Sequence, residues 1–200
     1  MTADSAPALR GMDPKDEQAA VLRIRAGDAD GLVVLVRAHT GDALRLAYRL
    51  LQNRQDAEDV VQEAFMSVLK NIHSFELGRP FGPWFRRIVA NRAHNLIKSR
   101  ALRTGEELSP SLPSGGALPD EMAQRAETTE QVTQALAQLP DDQRTMIRLF
   151  EMEGFNSSEI AEVLEIAPGT VRWHLHQARH KLRAILDPNG QRAATEVADG

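Results

Sequence analysis

Residues able to make or break covalent bonds are sparse in this sequence, and their spacing assembles no active site. Cysteine is absent among the 200 residues, which excludes a thiol nucleophile, a disulfide and a cysteine-ligated zinc. Six histidines come next. His176 and His180 stand i, i+4 apart, a spacing that zinc ligands use, but no carboxylate shares their helix face. Asp59 and Glu63 repeat that spacing with two carboxylates, the raw material of acid–base work. No histidine or metal partner accompanies them, and no glycine-rich phosphate loop is present. The expectation is a protein that is not an enzyme, with no cofactor, no metal site and no small-molecule substrate.

Three segments carry residues suited to binding instead. In PGTVRWHLHQARHKLRAIL, residues 168–186, Val171, Leu175, Ala178, Leu182 and Ile185 form one apolar stripe at 100° per residue. Trp173, His176, Gln177 and His180 fall on the opposite face, with Arg172 and Arg179 at its edges. A large indole turned away from a core is unusual on a solvated helix, and contact with a DNA groove accounts for it. The alternative is a plain helical hairpin with a basic outer face. In FGPWFRRIVANRAHNLIKSR, residues 81–100, Trp84, Phe85, Ile88, Val89 and Leu96 make a broad apolar side. Arg87, Asn91, His94 and Lys98 line one polar stripe at i, i+4, i+7, i+11. Arginine and asparagine reach base edges, and lysine anchors phosphates. Taken alone, this stripe is equally well explained as a solvated basic face. In QDAEDVVQEAFMSVLKNIHSF, residues 55–75, the apolar face is Ala57, Val61, Ala64, Phe65, Val68 and Ile72. Asp59, Gln62, Glu63 and Met66 gather on the far side. A thioether among carboxylates marks a surface that docks another protein, beside the blander reading of a solvated face.

These faces need helices to position them. Aromatics make up only 4% of the chain and hydrophobic residues 42%, a balance that favours helices packed through aliphatic side chains. One helix is predicted from Pro14 to Ala26, ending at Gly27, and Asp28 is placed to cap the next, which Gly41 interrupts. Helical spacing returns over 56–73 and 81–102. The stretch TGEELSPSLPSGGALPDE then has no apolar period and reads as a linker. Helices resume near Ala126, with breaks at Leu139-Pro140 and Gly154. Asn156 and Glu159 have capping-box spacing, and Pro168 suits the first turn of the final helix. Short helix, three-residue turn and longer basic helix make a helix-turn-helix. The fold class is all-α: two small helical domains joined by a flexible linker. The expected layout is a leader 1–13, a first domain 14–103, a linker 104–125, a second domain 126–187 and a tail 188–200.

The net charge of −4 argues against nucleic acid until its distribution is considered. Seven basic residues and no acid lie between Arg79 and Arg103, and four more, again without an acid, between Arg172 and Arg183. Phosphates respond to those local fields. No stretch approaches the roughly 20 apolar residues of a membrane span, and the N-terminus has no signal-peptide core. A cytoplasmic protein without direct membrane insertion is expected.

Together the segments resemble the sigma-70 superfamily of RNA polymerase sigma factors, specifically its extracytoplasmic-function (ECF) group. DAEDVVQEAF is similar to region 2.2, which docks on the clamp helices of the large polymerase subunit. The run from Phe75 to Arg100 resembles regions 2.3 and 2.4, which capture the melted −10 element. The segment from Ala135 to Arg183 resembles region 4, which reads the −35 element. The resemblance covers about residues 18–102 and 130–186. It implies core RNA polymerase and promoter DNA as partners, and the family commonly has an anti-sigma factor as well. It implies core-polymerase binding by Asp59, Gln62, Glu63 and Met66. The −10 element falls to Arg87, Asn91, His94 and Lys98 with the loop from Phe75 to Gly82, and the −35 element to Arg172, Trp173, His176 and Gln177. The chain departs from the family at Asn95 and Lys98, where Asp and Arg are frequent. Glu165 replaces the usual turn glycine, and Trp173, His174 and Gln177 stand where small or basic residues are commoner. These departures bear on which promoter is read. The competing reading is a stand-alone helix-turn-helix regulator binding an operator as a dimer.

Overall fold

The structure, a computed structural model, describes residues 12–104 and 130–187. Most of the predicted leader and linker, the start of the helix near Ala126 and the whole predicted tail lie outside the described residues. Among the described residues every regular element is helical. The chain divides into two compact units between Ala93 and His94. That division falls inside a continuous helix, some way before the boundary expected from the linker composition.

The first unit starts where its capping residues dictate. α1 (Pro14–Arg25) begins with Asp13, whose carboxylate accepts the Lys15 N–H at 2.8 Å, and Pro14 takes the first-turn position. It ends at Ala26, and Gly27 follows at φ +85°, a conformation glycine adopts without a Cβ clash. α2 (Asp30–Leu51) is preceded by Asp28, which accepts the Asp30 N–H at 2.9 Å. The expected interruption at Gly41 does not occur. Leu35, Ala43, Leu46, Ala47 and Leu50 keep one buried stripe in phase across it, and that packing outweighs roughly 1 kcal/mol of glycine propensity. α3 (Arg54–Asn71) is capped by Asn53 and runs into a 3-10 turn, Ile72–Ser74. The first half of α4 (Phe81–Thr104) completes the unit, and the helix runs on past Ala93 into the second.

Val21 and Ile24 of α1, Leu35 and Leu46 of α2, Val61, Ala64 and Val68 of α3, and Phe81, Phe85 and Val89 of α4 share the core. Each large side chain so buried contributes about 1.5–3 kcal/mol of transfer free energy. α1 and α2 meet closely at Gly31: a Cβ there would lie 2.4 Å from the Ala20 carbonyl oxygen.

The second unit contains α5 (described over residues 130–137), α6 (Asp141–Ile147), one π-helical turn (Arg148–Met152), α7 (Ser157–Leu164) and α8 (Pro168–Leu186). Asn156 and Glu159 form the expected capping box at the start of α7, and Pro168 opens α8. α7 ends on Glu165 at φ 56°, ψ 42°. The turn thus requires the left-handed conformation that its side chain disfavours. Ile160, Val163 and Leu164 of α7 are buried, as are Val171, Leu175 and Ala178 of α8. Leu182 and Ile185 continue the α8 stripe but are only half-buried. The π turn was not foreseen. It accompanies an unexpected buried polar band of Gln143, Arg144, Thr145 and Arg148. Arg144 pairs with Asp141 and donates to the Ala137 carbonyl at 3.4 Å. Burial, with Arg144 nearby, pushes the Arg148 guanidinium down to about 10.

Candidate polymerase and promoter interfaces

α3 separates its two faces cleanly. Ala57, Val60, Val61, Ala64, Phe65 and Val68 are buried, while Asp59, Gln62, Glu63 and Met66 are all exposed. Met66 is 52% exposed, a large apolar group left in water between polar neighbours. Glu63 differs from the other three because Arg92 of α4 reaches it at 2.5 Å and also donates to the Ser67 hydroxyl. It therefore ties α3 to α4 as well as facing outward.

α4 is less simply divided than its sequence indicated. Phe81, Phe85, Val89 and Ala93 are buried at every fourth position, and Ala90 and His94 are buried beside them. Arg87 and Asn91 are partly exposed and Lys98 is exposed, so three of the four stripe residues reach the surface. His94 does not: it is 7% exposed, and its Nδ1 has no hydrogen-bonding partner among the described residues. Burial pushes its imidazole below the usual histidine range, and the Lys98 ammonium acts in the same direction. The carboxylates of Asp142 and Glu165 oppose this without cancelling it. The expectation that His94 lines an outward stripe is corrected accordingly. The i, i+7 spacing was right for a face, but the helix is enclosed over a wider arc there than at Arg87.

Ahead of α4 lies the turn of residues 76–80. The Arg79 N–H meets the Glu76 carbonyl at 3.3 Å, Gly78 sits at φ +93°, and the Glu76 and Arg79 side chains pair at 2.7 Å. Glu76, Leu77 and Arg79 are exposed. Phe75 and Phe81 on either side are buried, their rings 5.8 Å apart, and Trp84 lies against both at 5.1 and 5.6 Å. Trp84 is only partly buried, so part of its side chain reaches the surface near the turn. The apolar pattern alone places Trp84 wholly on the buried side, whereas its position one turn into a helix that follows an exposed loop is the signal for partial exposure.

On α8, Arg172, Trp173 and His176 are exposed and Gln177 is partly so. Trp173 is 56% exposed, with the His174 ring edge-on at 4.8 Å. Arg179, at the margin of this face, is engaged elsewhere. It bonds Glu151 at 2.6 and 2.8 Å and stacks 4.9 Å above the Phe150 ring. Among the described residues, no group of three or more His, Cys, Asp or Glu is arranged to hold a metal ion. No described helix is long and apolar enough to cross a membrane.

Comparison with known proteins gives these faces a family. The sigma-70 region 2 profile matches residues 35–103, and the sigma-70 region 4 profile matches residues 129–182. The ECF RNA polymerase sigma factor SigW of Bacillus subtilis is 31% identical over 176 residues, 83% of this chain and 94% of that protein. The chain belongs to the ECF sigma factors of the sigma-70 family. This sigma factor is also 32% identical over 184 residues to the RNA polymerase sigma-H factor of Pseudomonas aeruginosa, covering 87% of the chain and 95% of that relative. Among solved structures, CnrH in complex with the cytosolic domain of CnrY aligns with TM-score 0.57 and 26% identity, over 87% of this chain and 99% of CnrH. As a sigma factor the chain binds core RNA polymerase and directs promoter-specific initiation. The stand-alone regulator reading is not favoured, since both sigma regions are matched in order along one chain.

Proposed function

We propose that Asp59, Gln62, Glu63 and Met66 form the surface that holds core polymerase. Arg87, Asn91 and Lys98, with the turn of residues 76–80 and the Trp84 indole, take the −10 strand. Arg172, Trp173, His176 and Gln177 enter the −35 major groove. His94 is left out of the −10 set because it is buried. The mechanism is binding and strand capture: a base unstacked from the duplex exposes edges and a π face that the helix hides, and arginine, asparagine and an indole can read them. No covalent step belongs to this reading. Regulation by a bound protein partner, as in the complex of CnrH with CnrY, is part of it.

The observation that carries the proposal is Met66, 52% exposed between polar residues on a helix whose other face is fully buried. Because Glu63 is tied to Arg92, the cleaner probes are its neighbours. Asp59→Lys combined with Met66→Ala should lose core polymerase in a pull-down, since central interface residues cost about 2 kcal/mol or more when removed. Surface substitutions of this kind change stability by only about 0.5 kcal/mol, so the melting temperature should barely move. Undiminished polymerase binding by the double variant would reduce this face to solvated surface.

A further inference from the structure

α1 lies before the residues that the region 2 profile matches, yet it holds both ends of the turn that precedes α4. At the start of the turn, the Arg25 guanidinium donates to the Ile72 carbonyl at 3.2 Å and to the His73 carbonyl at 3.4 Å. It also donates to the Phe75 carbonyl. At the end, the Glu17 carboxylate accepts the N–H of Phe81, the first residue of α4, at 3.1 Å. That N–H has no partner within its own helix, so the carboxylate acts as a cap supplied from another element. The other Glu17 oxygen lies 3.0 Å from His39 Nε2 of α2, and the His39 ring packs 5.1 Å from that of Phe81. Glu17 and Phe81 are both buried. Two residues eight positions apart on one helix, about 12 Å along its axis, thus hold the two ends of one exposed turn.

We infer that α1 is a splint for base capture, with Glu17 and Arg25 as positioning residues that fix the turn of residues 76–80 before DNA arrives. This rests on the reading of that turn as part of the −10 site. The physical reason is conformational entropy. A free turn must lose backbone freedom when it closes on a base, and that loss opposes binding. A turn already held at both ends leaves that free energy available for discriminating one base from another. Neither residue needs to touch DNA. Arg25 is occupied by carbonyls that close the α3 side, and Glu17 is enclosed beneath Phe81. The effect should therefore fall on selectivity at the position the turn reads, and not on polymerase affinity or −35 binding.

The test uses the full chain assembled with core polymerase and a promoter DNA whose −10 segment is randomised, bound molecules being recovered and sequenced. Leu77→Ala with Arg79→Ala, both exposed in the turn, identifies which base preference belongs to it. Arg25→Ala and Glu17→Ala should each flatten that same preference by about tenfold, within the range of one good base contact. Preferences elsewhere in the −10 and −35 elements, and binding to core polymerase, should be retained. Glu17→Gln keeps an oxygen acceptor for the Phe81 N–H and should keep the preference. Arg25→Lys, which keeps the charge but not the fork that spans several carbonyls, should lose most of it. Amide exchange at residues 76–79 should quicken in the Arg25 variants while the melting temperature of the unit holds. Undiminished preference in folded Arg25→Ala, Arg25→Lys and Glu17→Ala, with the turn variant still losing it, overturns the splint alone. A turn variant that changes no preference overturns the −10 reading of the turn, and the splint with it.

Discussion

Glu165 shows how a single backbone angle separates what this sigma factor shares with its family from what is its own. At φ 56° it occupies the left-handed region, which costs a residue with a Cβ about 1–2 kcal/mol. Glycine would remove that cost but regain unfolded-state freedom of about 0.4–1 kcal/mol. Glu165→Gly should therefore raise stability by a net of about 0.5 kcal/mol, read as a higher urea midpoint at unchanged slope. A lower midpoint would mean that the glutamate side chain supplies a compensating interaction. Glu63 and His94 carry the opposite lesson. Their types and helical phase were legible in the sequence, but the Arg92 bond to one comes from a different helix, and helical phase alone did not show that the other is buried.

Among the elements, the most legible were those whose signals are local. The capping box at Asn156 and Glu159, the proline opening α8 and the stripe Val171, Leu175, Ala178 all lie within a few turns, and all formed as expected. Gly41 misled because intrinsic propensity is weak against a stripe that stays in phase on both sides. Nothing in the sequence marked Glu17 as a cap for Phe81, because 64 positions separate them and only the packing of α1 brings them together. The same packing explains Gly31, whose missing side chain lets α2 approach α1. A Cβ would stand 2.4 Å from the Ala20 oxygen and 3.0 Å from Arg23 Cβ and Ile24 Cγ1. Gly31→Ala should cost about 1–3 kcal/mol as overpacking, despite alanine's better helix propensity. Thermal denaturation decides the sign, and a stabilised variant would show that α1 can shift without loss.

For the molecule as a whole, the net charge of −4 hides two basic islands, one on α4 and one on α8, that belong to helices matched by different sigma regions. Each face alone is small, and each DNA contact is weakened by salt as counterions compete for phosphate. On the proposed reading, affinity for a whole promoter comes from engaging both faces at once. The second contact then becomes intramolecular, and its gain exists only if the DNA presents the two elements at a separation the chain can span. The duplex adds a rotational condition. Inserting about five base pairs between the −35 and −10 elements turns one by half of the roughly 10.5-base-pair repeat, so the major-groove face proposed for α8 points away. Transcription by polymerase carrying this sigma factor should then fall towards the level of a promoter with no −35 element. Arg172→Ala, which weakens the −35 contact directly, should lower the parent promoter strongly and the respaced promoter little, because the lost contact is already absent there. An equal proportional loss from both promoters would mean that the two faces do not act together on one DNA, and that α8 supports initiation by some route other than reading the −35 element.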